Sequence, residues 1–126
     1  MFIFCLLILF FLNINPILAS ERNIFGLHLT QPADLISAKE IINSGGGDWG
    51  YATIVIRINE LDKNTWQDFF DNCRKYHIIP IIRLATTMEN NYWKIPSTSD
   101  IDHLADFLSS LNWPVIPKYI IPFNEV

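Results

Sequence analysis

Six polar side chains stand out because each closes or nearly closes an apolar run. They are His28, Arg57, Asn59, Arg83, Asn124 and Glu125. Burying such groups is costly without partners, so a purely structural explanation for all of them is strained. Together they offer one carboxyl group for proton transfer, with guanidinium and amide groups able to orient carboxylates and hydroxyls. Each also has an ordinary explanation. His28 can be a satisfied core histidine, and Arg57 or Arg83 can pair with Glu60 or Glu125. Two arginines at equal depth on adjacent strands repel unless an anion or polar ligand lies between them. Asn124-Glu125 is a common dipeptide, and only its position at a strand end gives it weight.

The elements that position these groups follow from periodicity. Residues 23–29, 51–58, 78–84 and 118–125 are apolar runs rich in β-branched or aromatic residues and are expected as strands. Helices are expected between them. The first covers residues 32–43, opened by Pro32, with Leu35, Ile36, Ala38, Ile41 and Ile42 on one face. The second is capped by Asn64 and runs to Tyr76, with Trp66, Phe69, Phe70 and Cys73 on its stripe. The third is opened by a Ser99–Asp102 capping box and buries Leu104, Ala105, Phe107, Leu108 and Leu111, with Trp113-Pro114 ending it. Four strands alternating with three helices predict an α/β fold with a parallel sheet and right-handed crossovers. The strands are nearly continuously apolar, which predicts burial on both faces. Pro80 and Pro122 fall inside proposed strands, where proline removes a ladder donor, so Pro122 is expected to mark a bulge.

In such a sheet all strand carboxyl ends lie on one side, where ligands bind. The six polar groups gather there. So does the polar stretch 86–98, in which Tyr92 and Trp93 are equally readable as sugar-stacking rings or as ordinary loop packing. Trp66 is expected in the core, and Trp49 and Trp113 in loops on the opposite side.

Composition excludes several classes. The chain has 126 residues, 50% hydrophobic and 17% charged, so a packed core is expected rather than disorder. The formal net charge is −4 with no basic stripe, which argues against a nucleic-acid partner. Residues 1–20 carry no charge. Their apolar run, 2–12, falls short of the ~20 residues a membrane span needs, and Ile17-Leu18-Ala19-Ser20 suits cleavage. We read 1–20 as a signal peptide or membrane anchor and 21–126 as the folded domain, so the protein is expected to be secreted or held at the cell surface. Contact with a membrane is expected only through that leader. Cys73 is the single cysteine beyond the leader, expected as a small buried hydrophobe rather than a nucleophile. The glycine-rich stretch 45–50 follows a helix and precedes a strand, the reverse of a phosphate cradle, and is expected to be a helix stop and turn. His28, His77 and His103 lack metal-ligand spacing, so no metal or other cofactor is expected.

The order His28, Arg57, Arg83, Asn124-Glu125 on successive strands resembles the retaining (β/α)8-barrel glycoside hydrolases of clan A. Glycoside hydrolysis uses one carboxylic acid to protonate the leaving oxygen and a second carboxylate at the sugar ring. An acid walled by apolar residues is suited to the first role. The resemblance implies a partial (β/α)8 TIM barrel made of its first four parallel strands and three intervening helices, about half of the ~250 residues a whole barrel takes. It further implies Glu125 as acid/base, Asn124 as holder of the sugar 2-hydroxyl, and Arg57 as support for a nucleophile on a later strand. His28, Arg83, Tyr92 and Trp93 are expected to bind the carbohydrate. The sequence departs from the family at Arg83, where many members carry histidine, and at Pro122. Two other functions remain open at this point. One is a noncatalytic exported barrel protein binding carbohydrate or protein. The other is a barrel lyase or deacetylase using Glu125 as a base. Oligomeric state is not legible.

Overall fold

The computed structural model describes residues 26–123. The expected leader, the start of the first strand, and Asn124, Glu125 and Val126 lie outside the described residues. Within them the fold is α/β. The elements run β1 (Gly26–His28), α1 (Asp34–Ile42), β2 (Gly50–Arg57), α2 (Lys63–Lys75), β3 (Ile78–Ala85), β4 (Met88–Glu89), β5 (Tyr92–Trp93), α3 (Thr98–Ser109) and β6 (Tyr119–Pro122). β1, β2, β3 and β6 form one parallel sheet in that order, and β4 and β5 form a separate antiparallel hairpin.

Sequential order has a direct consequence. Crossovers of one hand between successive neighbours put every helix on the same side of the sheet, whereas a reversal of order would put helices on both. The packing agrees. Ala52, Ile54 and Ile56 of β2 and Ile78 and Ile82 of β3 are buried in one cluster with Leu35, Ile42, Trp66, Phe69, Phe70, Cys73, Leu104 and Leu108 of the three helices. The alternate residues Thr53, Val55, Ile79 and Ile81 are only half-buried. Burial on both faces was expected from the continuous apolar runs. Among the described residues one face is covered by the helices, and the other is open except at its carboxyl end, where Trp93 of the β4–β5 hairpin lies against Arg57.

The helices form where the apolar spacing places them, with shifted starts. α1 begins at Asp34, not Pro32, and its carboxylate instead ties down the preceding turn. It accepts from the backbone N–H groups of Thr30 and Gln31, both at 3.1 Å, and from their side chains. Of the expected stripe, Leu35 and Ile42 are buried while Ile41 is 56% exposed, which narrows the seam to i, i+3, i+7 with Ala38. α2 is capped by Asp62, which accepts from Thr65 N–H at 2.9 Å, and not by Asn64. α3 opens on a Ser97–Asp100 capping box. The Ser99–Asp102 pair has the same spacing, but the earlier cap adds helix, as Ile101 N–H donating to the Ser97 carbonyl shows. The expected core face of α3 also narrows, since Ala105 is exposed. Its helix stops at Ser109, before Trp113-Pro114. Trp113 is buried, packs on Phe70 with ring centroids 4.7 Å apart, and donates its indole N–H to the Leu108 carbonyl.

The expected helix stop at 45–50 is a turn with Gly46 and Gly47 at positive φ. Gly50 is required there, because a Cβ would lie 2.4 Å from Ile42 Cγ2 and 2.7 Å from its carbonyl oxygen. On that same end of the sheet Trp49 stacks on His77, centroids 4.9 Å apart.

Both strand prolines are accommodated by alternation. The bonds Gly50 N–H to His77 O and Ile58 N–H to Ala85 O show that odd-numbered residues of β3 face β2. Pro80 therefore faces the β6 side, ahead of the first β3–β6 pair, Ile81 with Tyr119. By the same alternation Tyr119 and Ile121 of β6 face β3, and the ring nitrogen of Pro122 faces away from it. The expected bulge at Pro122 is absent: the register runs unbroken to Leu84 with Pro122. Of the expected 118–125, β6 covers Tyr119–Pro122 among the described residues.

Candidate functional site

The open face of the sheet carries three of the candidate groups, His28, Arg83 and Arg57. His28 pairs with Thr53, so its side chain shares a face with Thr53, Ile81 and Tyr119. Arg83 lies in the next row, between Val55 and Ile121. Arg57 is one row further toward the carboxyl ends, beside Ala85. The three basic residues thus rise across one face in the order His28, Arg83, Arg57. The two arginines were expected at equal depth. They are staggered by two residues, about 6.6 Å of strand rise, which relieves much of their repulsion without any ligand.

Arg57 also has its own counter-charge. Its Nη1 donates to both Glu60 oxygens, at 2.9 and 3.0 Å. Glu60 is held in turn: its N–H donates to the Arg57 carbonyl, and its carbonyl accepts the Trp66 indole N–H at 2.7 Å. The Arg57 guanidinium lies 5.8 Å over the Trp93 ring, joining the loop after β2 to the hairpin after β3. Both partners of this ion pair are partly solvated, so its function is orientation more than stability. It leaves the other guanidinium nitrogens able to donate.

Spacing alone did not reveal the hairpin. The stretch 86–98 was expected as polar loop, yet Asn90 and Asn91 both adopt positive φ, 52° and 68°, the geometry of a tight two-residue hairpin turn. Asparagine tolerates that region, and the Asn-Asn pair was the available signal. Thr86, buried, donates its hydroxyl to the Lys94 carbonyl, and Lys94 N–H returns to Thr87 O at 2.9 Å. Met88 pairs with Trp93 and Glu89 with Tyr92, so Tyr92 and Trp93 point to opposite faces of the ribbon. Trp93 meets Arg57, while Tyr92 is 78% exposed.

An open cleft of about 460 Å³ lies on the same rim, lined by Pro32, Asn59, Glu60, Leu61, Asp62, Thr65 and Trp66. Its two carboxylates are committed, Glu60 to Arg57 and Asp62 to the α2 cap. The hydrogen bonds from Thr65 hold Asp62 below the usual carboxylate range. A second cleft of about 290 Å³, lined by Leu84, Leu104, Leu108, Ile120 and Pro122 among others, lies between α3 and β6 and is mostly apolar, with Ser109 and Lys118 at its edge. Cys73 takes no part in either. Burial pushes its thiol up from 9.0 to about 12, so it stays protonated and unreactive. Among the described residues no three His, Cys, Asp or Glu side chains are grouped to hold a metal ion, and no helix is long and apolar enough to cross a membrane.

Asn124 and Glu125 lie outside the described residues. No family model matches the chain, and neither a curated protein nor a solved structure matches it.

Proposed function

We propose that the chain is the amino-terminal half of a retaining (β/α)8-barrel glycoside hydrolase, with Glu125 as its acid/base. The observation that carries this reading is the one-sided build of the sheet. Four parallel strands in sequential order have all helices on one face, and His28, Arg83 and Arg57 climb the other toward the carboxyl ends. A closed barrel needs such a half: helices outside, an inner face of alternating side chains, and polar groups at the carboxyl rim. The half-buried Val55, Ile79 and Ile81 would then be interior residues completed by later strands.

In this reading Glu125 protonates the glycosidic oxygen and later deprotonates water, while a carboxylate from a later strand attacks the sugar. Asn124 holds the 2-hydroxyl. Arg57, oriented by Glu60 and Trp93, keeps donors aimed at the pocket, and Arg83 and His28 line its floor. Residues 1–20 direct the protein to the cell surface or beyond it, where polysaccharide is met.

The test is hydrolysis of a panel of aryl glycosides by the chain joined to the coding sequence that follows codon 126. Glu125→Gln is expected to lower turnover by about 10²–10⁴-fold. Unchanged turnover in that variant would remove Glu125 from the chemistry and favour a noncatalytic carbohydrate-binding barrel.

A further inference from the structure

The two ends of the sheet are built differently. The four strands are parallel, with Gly26 level with Tyr51 and Gly50 level with Ile78. The loops before β2, β3 and β6, and the chain before Gly26, therefore all meet the sheet at its amino end. The helices run against the strands. Their caps and first turns put Asp34, Asp62 and Asp100 at the carboxyl end, and their last turns put Lys39, Arg74 and Lys75 at the amino end. Amphipathic rings collect at the amino end too. Trp49 stacks on His77, and Tyr76 has the ammonium groups of Lys39 and Lys75 at 4.3 and 5.3 Å from its ring centroid. The loop into β6 is apolar yet uncovered: in residues 114–119 only Lys118 is charged, and Ile116 is 91% exposed. One exposed isoleucine is ordinary. Indole, phenol, lysine and isoleucine sharing the end where an uncharged leader enters have the composition of a lipid interface.

We propose that the amino end of the sheet rests on a phospholipid bilayer, with Trp49, Tyr76 and Ile116 at the headgroup layer and Lys39, Lys75 and Lys118 reaching its phosphates. Amphipathic rings and lysines with long apolar stems favour that layer. Charge narrows the lipid. Lys39 and Arg74 pair with Glu40 and Asp71, and Asp48 and Asp106 offset Lys75 and Lys118, so this end suits zwitterionic phosphatidylcholine and needs no anionic lipid. The chain outside the described fold chooses the end. Residues 1–25 precede Gly26, and residues 1–20 carry no charge. With their apolar run, 2–12, held in the bilayer, the amino end is the part of the fold brought to the surface, and two weak contacts act together. The carboxyl rim, with Arg57 and the hairpin, then faces away from the lipid. No residue of the proposed glycosidase site takes part, so the contact stands whatever that rim binds.

The experiment is tryptophan fluorescence of the full chain on phosphatidylcholine vesicles whose acyl chains are brominated near the headgroups, which quench rings seated in the interface. Trp66 and Trp113 are buried, so Trp49 and Trp93 report on the two ends. Quenching is expected in the parent and in Trp93→Phe, and it should vanish in Trp49→Phe. Ile116→Asp should shift the balance between seated and lifted folds about tenfold toward lifted, read as lost quenching. Ile95→Asp, at a residue 76% exposed just after the carboxyl-end hairpin, should quench as the parent does. Both isoleucines lie outside the core, so neither variant should unfold the chain. Quenching of Trp93 instead of Trp49, or of neither ring, overturns the proposal, as does parent-like quenching in Ile116→Asp. A vesicle-free dimer that Ile116→Asp dissociates would also overturn it, by giving the surface to a second copy of the chain.

Discussion

The two faces of the sheet are made from alternate residues of the same strands and from much the same residue types. Ile54, Ile56, Ile78 and Ile82 look toward the helices and are fully buried. Val55, Ile79 and Ile81 look the other way and are half-buried. Hydrophobicity therefore does not distinguish the faces. Charge does: His28, Arg57 and Arg83 all fall on the open one. The strands are apolar on both sides and carry their basic residues on one, so only those residues tell the two sides apart.

The strongest way to break this contrast is to remove one large side chain from each face. Phe70→Ala, on the covered side, is expected to cost about 3–5 kcal/mol, and Ile81→Ala, on the open side, about 1–2 kcal/mol. Chemical denaturation of the two variants compares them, and equal losses would mean the open face is packed as tightly in solution. Next in size is the cap of α3. Ser97→Ala should lower stability by about 1 kcal/mol, while Ser99→Ala should stay within about 0.5 kcal/mol of the parent. The reverse order in thermal melts would move the cap to the position the sequence pattern favoured.

The smallest effect at neutral pH comes from Cys73, beneath the helices. Burial keeps its thiol neutral, so the folded chain holds a proton that the unfolded chain releases from about pH 9. Stability is whole below that pH and declines as pH rises toward about 12. A thiol reagent at pH 8 should label Cys73 only at the rate of unfolding. Rapid labelling of the folded protein would open the covered face to solvent.

The order and type of the main elements could be read in the sequence, since each strand and each helix stripe carries its own period. The boundaries were less readable for a stated reason. Two Ser-x-x-Asp pairs overlap at residues 97–102, and only the hydrogen bonds of the helix choose between them. The coverage of the faces is not written in the strands at all, because Ile81 and Ile82 are the same side chain. At the site, the grouping of His28, Arg57 and Arg83 follows from strand order and parity. The stagger of the arginines and the engagement of Arg57 by Trp93 do not, because they depend on register and on a hairpin whose strands are two residues each.

Pro122 bears on what can join the sheet next. An edge strand is a template for unrelated chains, since its free N–H and C=O groups accept any extended segment. The outward side of β6 has a gap in that template, one position where an incoming strand finds a carbonyl but no donor. An incoming segment loses a bond there. The proline thus acts as a notch cut into the edge, discouraging self-association through that side.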